Sequence, residues 1–324
     1  MYTAEYLLHS INEAIERENF HREPRELYEP INYIFSMGGK RIRPVMLLMA
    51  ADMYGGDLHK AMPAALGIEI FHNFSLIHDD IMDRAPLRRG KPTVHEKWNA
   101  NTAILSGDTM MVKAYDQLLR LPEPLIKPAL VIFNFTATGV CEGQQLDMNF
   151  EARDNVTIPE YLEMIRLKTA VLIGAALKLG GLTAGASPED QQQLFDFGIH
   201  TGLLFQLRDD LLDTYGDADI FGKKKYGDII ANKKTYLYLK ALENTTGKAR
   251  KELAGLYGNH SVDPDIKVKM VLKFFEDAEV KKLTEEKISE HYLLAREAFK
   301  MLKVSEENKE PLKKYTEKLM GRSF

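Results

Sequence analysis

Residues 75–90 read SLIHDDIMDRAPLRRG. Asp79, Asp80 and Asp83 stand at i, i+1 and i+4 among the apolar residues Leu76, Ile77, Ile81 and Met82. The spacing reads as a helix, yet like charges four residues apart on a helix repel. Three carboxylates kept together in an apolar helix need compensating positive charge, and Arg88 and Arg89 follow close behind. Outward from this stretch the helical period continues in both directions. It predicts helices over 3–19, 25–36, from a first turn at Pro44 to about 54, and over 61–83, 99–120, 124–148, 159–182 and 188–215. Further helices are expected over 233–244, 246–257, 264–281, 282–302 and 304–320. Gly38-Gly39 reads as a helix stop, Pro44 fits a first helical turn, and Pro86 closes the acidic helix. Strand-like alternation is scarce and no linker divides the chain. The expectation is one all-α domain, residues 1–324, of ten or more helices.

The 324 residues are 45% hydrophobic and 28% charged, with a net charge of -4. This is the composition of an ordinary globular protein, without the basic excess of a nucleic-acid binder. The single cysteine, Cys141, excludes an intrachain disulfide and fits a reducing compartment. Glu5, Glu13, Glu16 and Glu18 argue against a signal or transit peptide. The longest apolar runs, such as 45–52, are too short to span a bilayer. A cytoplasmic protein without stable membrane insertion is expected.

The acidic stretch has a counterpart in FQLRDDLLD, residues 205–213, with Asp209, Asp210 and Asp213. One such motif reads as a solvated helix face. Two copies, each in an apolar helix, read as a pair of carboxylate clusters whose first and last members share a face. Hard divalent cations favour carboxylate oxygen, and Mg²⁺ is commonly held by a few carboxylates together with substrate phosphates. Basic clusters accompany them: GGKRIRP at 38–44 with Lys40 and Arg43, Arg88-Arg89, FGKKK at 221–225 and NKKT at 232–235. Each alone reads as a surface charge run. Together, beside paired acids, they point to two polyphosphate groups, one held through metal and one by basic side chains. His72, seven residues before Asp79, reads either as a core histidine or as a phosphate contact. His78 points elsewhere. The Gly/Ala-rich run 168–186 reads as close helix packing.

In order and spelling, GGKRIRP, HDDIMD with RRG, KT at 168–169, FQLRDDLLD, FGK and NKKT resemble the trans-type isoprenyl diphosphate synthases, the polyprenyl synthetase family. The resemblance covers roughly residues 38–235; the C-terminal ninety residues carry no usable motif. It implies an all-α fold around a central apolar cavity, a homodimer, and head-to-tail condensation of isopentenyl diphosphate with an allylic diphosphate. It implies three Mg²⁺ ions on Asp79, Asp83 and Asp209, supported by Asp80, Asp210 and Asp213. It implies allylic diphosphate on Arg88, Lys168, Lys223 and Lys233, and isopentenyl diphosphate on Lys40, Arg43, His72 and Arg89. The Lys168 carbonyl and the side-chain oxygens of Thr169 and Gln206 would face the carbocation.

By the same resemblance, the residues just before the first motif face the growing prenyl tail. Phe74 is the fifth residue before Asp79, Ser75 the fourth and Phe71 the eighth. Five helical residues rise about 7.5 Å, which puts Phe74 deeper than the acidic cluster. A large aromatic there resembles short-chain members. DDIMD lacks the two-residue insertion of typical bacterial farnesyl synthases, which leans the product toward geranylgeranyl diphosphate. Farnesyl diphosphate or a longer polyprenyl diphosphate are the alternatives. A terpene cyclase fits poorly, since the second motif is DDLLD and GGKRIRP is present. A non-catalytic regulatory subunit fits poorly because both motifs are intact.

Overall fold

The computed structural model describes residues 1–18, 20–216, 225–258 and 261–321. Helices α1 (Ala4–Arg17), α2 (Arg25–Ser36), α3 (Ile42–Met53) and α4 (Leu58–Met82) lead into a two-residue ladder, β1 (Leu87–Arg88) with β2 (Lys91–Pro92). There follow α5 (Val94–Lys97), α6 (Ala100–Leu118), α7 (Glu123–Ala152), α8 (Ile158–Ile165), a π-turn (Arg166–Ala170), α9 (Val171–Thr183) and α10 (Pro188–Tyr215). Further helices span Gly227–Ile230, Tyr236–Asn244, Gly247–Gly258, Pro264–Asp277, Val280–Met301 and Glu306–Met320. The all-α expectation holds. Helix starts follow local chemistry. Asp57 accepts from the His59 amide at 2.9 Å to cap α4, and Asn99 accepts from Thr102 at 2.9 Å to cap α6. Thr157 and Glu160 form a capping box ahead of α8.

Packing divides the chain into two compact units, neither of them a continuous stretch. The first comprises Met1–Thr136, Leu172–Phe195 and Met301–Phe324. Its central element is α4, packed against α3 and α6. Most of its residues from Ala61 to Phe71 are buried, so it lacks a solvent face there. Small residues set the helix spacing. A Cβ on Gly180 would lie 2.2 Å from the Leu47 carbonyl oxygen, and one on Gly107 would lie 2.3 Å from His78 Nε2. The first of these bears out close packing in the Gly/Ala-rich run.

The second unit comprises Ala137–Val171 and Asp196–Lys300. Phe197 packs on Phe299 at 4.8 Å between ring centres, and Tyr238 stacks on Tyr257 at 3.7 Å. On α10, His200 Nδ1 meets His291 Nδ1 at 3.2 Å, with ring centres 5.5 Å apart and planes 26° apart. The ring centres are further apart than the nitrogens by about two ring radii, so the contact is head-on, as an N–H···N bond requires. Burial lowers the pKa of both rings, His291 to about 4, and keeps the pair neutral.

Two features differ from the sequence reading. The helix expected over 159–182 contains the π-turn, and a hairpin follows the first acidic motif, where the sequence showed only a run of charge. In addition, although no uninterrupted apolar run spans a bilayer, α7 is long and apolar enough to do so by length and composition; it is a partly buried helix of the fold.

Candidate active site

Both acidic motifs lie at the C-terminal ends of their helices. Asp83 is the C-cap of α4, and Asp213 lies two residues before the end of α10. The backbone dipole there is negative, so each cluster sits at the end that disfavours anions most and attracts cations. In the first motif Asp80 is buried while Asp79 is half-buried and Asp83 exposed. Arg88 clamps Asp80: its Nε donates to both carboxylate oxygens at 3.0 and 2.8 Å, and its Nη2 donates to Oδ1 at 2.7 Å. Arg88 Nη2 also lies 3.7 Å from Asp79. Burial pushes the Asp80 carboxyl above its ordinary value and the Arg88 fork opposes it. Burial works against the Arg88 charge too, but Asp80 together with Asp79 and Asp83 outweighs it and Arg88 stays cationic.

The hairpin that carries Arg88 turns at Arg89-Gly90, with φ of 52° and 75°. Two central residues with positive φ make the tight turn that matches strand twist. Arg89 accepts this strained backbone, and its guanidinium lies against Gly39. A Cβ on Gly39, itself at φ 149°, would come within 2.8 Å of Arg89 Nη1. Thr93 Oγ1 donates to the Ala85 carbonyl at 2.8 Å and Tyr33 OH donates to the Pro92 carbonyl at 2.8 Å, which fixes the hairpin's base.

Arg43 lies at the entry of α3, and its Nη1 donates to His72 Nε2 at 3.2 Å. Burial and the surrounding arginines hold His72 well below its ordinary pKa, so the ring accepts as a neutral base. Arg41, which the sequence reading passed over, is buried and bonds Glu69 at 2.7 Å and the Phe35 carbonyl at 3.1 Å. It anchors the Gly38–Pro44 turn. Among the described residues no carboxylate lies within ion-pair distance of Arg43 or Arg89. Burial lowers the pKa of both, and Arg41 and Arg88 lower that of Arg89 further. Lys40 is exposed in the same turn. The arrangement is a cationic pocket in which the charges repel, a state that a bound anion relieves.

In the second unit Asp210 is buried, Asp209 exposed and Asp213 half-buried. Asp210 accepts from the Tyr161 hydroxyl and, at 3.0 Å, from Gln206 Nε2. Burial and nearby Asp228 push its pKa up to about 7, against the pull of those two donors. Because the Gln206 amide nitrogen faces Asp210, its Oε1 faces the other way, where Thr169 Oγ1 donates to it at 3.3 Å. Thr169 and Lys168 stand in the π-turn, whose Val171 amide reaches back five residues to the Arg166 carbonyl. Gly143 on α7 makes room for it, since a Cβ there would sit 2.3 Å from the Lys168 amide nitrogen. Lys168 Nζ pairs with Asp147 at 2.7 Å. Asp213 accepts from the Asp228 amide at 3.1 Å. Lys233 is exposed, in a turn closed by its amide on the Asp228 carbonyl at 2.9 Å. Lys234 instead donates to the Phe150 and Glu151 carbonyls at 2.7 and 3.0 Å, which caps the end of α7. Lys223 lies outside the described residues.

The sequence model of the polyprenyl synthetase family matches residues 24–274. The chain belongs to the polyprenyl synthetase family. It is 45% identical over 222 residues to a geranylgeranyl diphosphate synthase of Methanosarcina mazei, covering 68% of each chain. A crystal structure of a geranylgeranyl pyrophosphate synthase superposes over 100% of both chains, with a TM-score of 0.95 and 43% identity. A polyprenyl synthase from Caulobacter crescentus CB15, complexed with calcium and isoprenyl diphosphate, matches with a TM-score of 0.87 at 26% identity, covering 99% of this chain and 96% of that one. Some relatives are geranylfarnesyl diphosphate synthases. The fold is that of the isoprenoid synthases, and the enzyme is a short-chain prenyl diphosphate synthase, a prenyltransferase of isoprenoid biosynthesis.

In this prenyltransferase Phe71 and Phe74 join a larger aromatic cluster. Phe74 lies 5.5 Å from Phe71 and 4.7 Å from His78; Phe71 lies 5.2 Å from Phe133, which lies 5.0 Å from Tyr115. Ser75 bonds back to the His72 carbonyl at 2.8 Å. Tyr161, Asp147, Asp228, Phe133 and Tyr115 escape a motif-based reading because they meet the motif residues from elements that carry no part of that motif. Arg41 stood inside a quoted motif, and its place before an apolar helix was the only signal.

Proposed function

We propose that the enzyme condenses isopentenyl diphosphate with an allylic diphosphate to make geranylgeranyl diphosphate. The observation that carries the reading is the shared plan of the two acidic helix ends. In each, the middle aspartate is clamped by protein donors, and the outer carboxylates remain on the more exposed side. Among the described residues no cluster of three or more acidic, histidine or cysteine side chains converges to hold an ion alone. All-oxygen donors of this kind fit Mg²⁺ that arrives with a diphosphate better than a closed protein cage. Asp79, Asp83 and Asp209 are the proposed ligands of three ions, with Asp80, Asp210 and Asp213 in support. When bound, Mg²⁺ supplies positive charge for the leaving diphosphate.

Arg88, Lys168, Lys223 and Lys233 are assigned to the allylic diphosphate. Arg43, Arg89, His72 and Lys40 are assigned to isopentenyl diphosphate, since among the described residues no carboxylate pairs with either arginine and the nearby Glu69 is bonded to Arg41. The allylic carbon–oxygen bond breaks and its electron pair leaves with diphosphate. Gln206 Oε1, Thr169 Oγ1 and the Lys168 carbonyl present oxygen dipoles to the allylic cation without a reactive nucleophile. The isopentenyl double bond attacks the cation, and the proton lost from the adjacent carbon goes to the departed diphosphate.

Phe74, with Phe71 and Ser75, is assigned to the floor of the tail pocket. The decisive experiment is incubation of purified protein with Mg²⁺, isopentenyl diphosphate and each allylic primer, followed by chromatography of the products. The reading expects C20 as the main product and at least one isoprene unit more from Phe74→Ala. No condensation with any primer would overturn it, and an unchanged ladder from active Phe74→Ala moves length control elsewhere.

A homodimer is proposed from an apolar face in the first unit. Leu105, Val112 and Leu119 recur every seven residues along α6 and at its end, and Val131 and Phe135 stand four apart on α7; all are exposed. Sedimentation of Leu105→Asp and Phe135→Glu tests it, since both should yield monomers. A cytoplasmic location is proposed from the absence of a second cysteine.

A further inference from the structure

Lys267, in the C-terminal region where no motif was found, is 3% exposed on the helix Pro264–Asp277. Its ammonium donates to Asn232 Oδ1 and lies 5.1 Å from the centre of the Tyr257 ring. Among the described residues no carboxylate lies within ion-pair distance of it, and burial lowers its pKa. A buried ammonium with only an amide oxygen and a ring face as partners is costly; an apolar side chain of the same length would fill the space more cheaply. The cost is informative because of what the amide belongs to. Asn232 has φ 59°, the left-handed backbone that turns the chain from the helix Gly227–Ile230 into Lys233. The same turn is tied to the second acidic motif, where the Asp228 amide donates to Asp213 at 3.1 Å, and to the end of α7 through Lys234. Lys267 supplies the third tie and is the one that grips the residue immediately before Lys233.

We propose that Lys267 is a positioning residue for the allylic diphosphate: through Asn232 it holds the turn that aims Lys233. The proposal rests on the assignment of Lys233 to that diphosphate. A purely structural lysine and a positioning lysine differ in what their removal does. Lys267→Met keeps the packing volume and removes a buried charge, so thermal stability should hold or rise. The freed turn should nevertheless raise the allylic KM about tenfold, as the loss of one charge-assisted phosphate contact does, while the isopentenyl KM stays at its wild-type value.

The test measures both KM values and Tm for Lys267→Met, Lys267→Arg, Asn232→Gly, the double variant Lys267→Met/Asn232→Gly, and Lys233→Ala. Arginine retains a donor for Asn232 and a cation for the Tyr257 face, so it should restore the allylic KM. Asn232→Gly keeps the left-handed backbone but removes the acceptor; it should reproduce the Lys267→Met effect, and the double variant should add nothing. Should Lys267→Met fail to fold, Asn232→Gly alone carries the test. An unchanged allylic KM in Asn232→Gly, or an equal rise for both substrates in Lys267→Met, overturns the proposal. Lys233→Ala separates the layers. A raised allylic KM there with none in Lys267→Met refutes only the positioning role; no change in Lys233→Ala refutes the assignment of Lys233 and the proposal with it.

Discussion

DDIMD at 79–83 and DDLLD at 209–213 are spelled almost alike, and both end a helix at its negative pole. In both the middle aspartate is buried, Asp80 to 2% and Asp210 to 4% exposure. They differ in what makes that burial tolerable. Asp80 is matched by a full charge, the Arg88 fork, delivered by a hairpin a few residues along the chain. Asp210 is matched by neutral donors, Tyr161 and Gln206, and its pKa rises to about 7. The upstream histidines repeat the contrast. Burial lowers the pKa of both; at His72 on α4 the surrounding arginines add to it, while His200 on α10 bonds a second histidine. The buried aspartate of the first motif thus sits in a charged setting, opposite a cation, and that of the second among neutral donors with further carboxylates nearby. A motif specifies where carboxylates stand, not how acidic they are.

The largest effects should fall where the motifs agree. Asp79→Ala and Asp209→Ala should each lower turnover by about 10²–10³ with the fold intact, the scale of losing one transition-state charge contact. Steady-state rates with Mg²⁺, alongside circular dichroism, check this; a near-normal rate from folded Asp79→Ala would remove the metal role from the first motif. Next come the arginines of the charged setting. Arg43→Ala should raise the isopentenyl KM and Arg88→Ala the allylic KM, each by roughly tenfold to a hundredfold, as expected for one charged hydrogen bond. Titration of each substrate against each variant decides it, and an allylic-only effect of Arg43→Ala would reverse the two sites.

The middle aspartates should then separate by a smaller margin. Asp80→Asn leaves Arg88 without its counter-charge and should act severalfold on the allylic KM. Asp210→Asn keeps shape but offers its own NH₂, which favours a flipped Gln206 and turns the wrong end of that amide toward Thr169. Its effect should appear in kcat with KM little changed, and identical kinetics for the two variants would erase the contrast. The smallest effect concerns acid stability. In the folded chain His291 binds a proton only near pH 4 and His200 only below its ordinary value, whereas unfolded histidines do so near about 6.5. Between those values the unfolded chain takes up protons that the folded chain refuses, so stability falls as pH drops. Tm measured from pH 7 to 4 should fall less in His200→Phe/His291→Phe than in wild type; equal slopes would deny the pair a role.

The helices were legible because apolar residues recur at helical spacing and glycines and prolines mark several of their ends; the cap Asp57 was not read, so the start of α4 was expected at 61 and lies at Leu58. The candidate site was legible where it is written in contiguous motifs: both acidic clusters, Arg43, Arg89 and the Lys168-Thr169 pair. It was illegible where chemistry depends on a distant helix. Tyr161 reaches Asp210 across 49 positions, and Asp147 reaches Lys168 across 21. Nor does spelling distinguish neighbours: Lys233 and Lys234 look equivalent, yet the second is committed to capping α7. Arg89's left-handed backbone follows from strand twist in a hairpin too short to show a pattern.

The π-turn has a consequence best stated as helical phase. Tyr161 and Thr169 are eight residues apart, yet both reach one short stretch of α10, at Asp210 and Gln206. Eight residues of ideal α-helix turn through about 800°, overshooting two full circles by about 80°. Seven residues turn through about 700° and nearly close. The flanks therefore keep the phase of a seven-residue spacing, and the wide turn at Arg166–Ala170 absorbs the eighth. A helical wheel drawn through this segment places either Tyr161 or Thr169 on the wrong side. The chain behaves as a regular helix with one residue slipped in where Lys168 and Thr169 stand, so that the segment before and the segment after can both address the same neighbour.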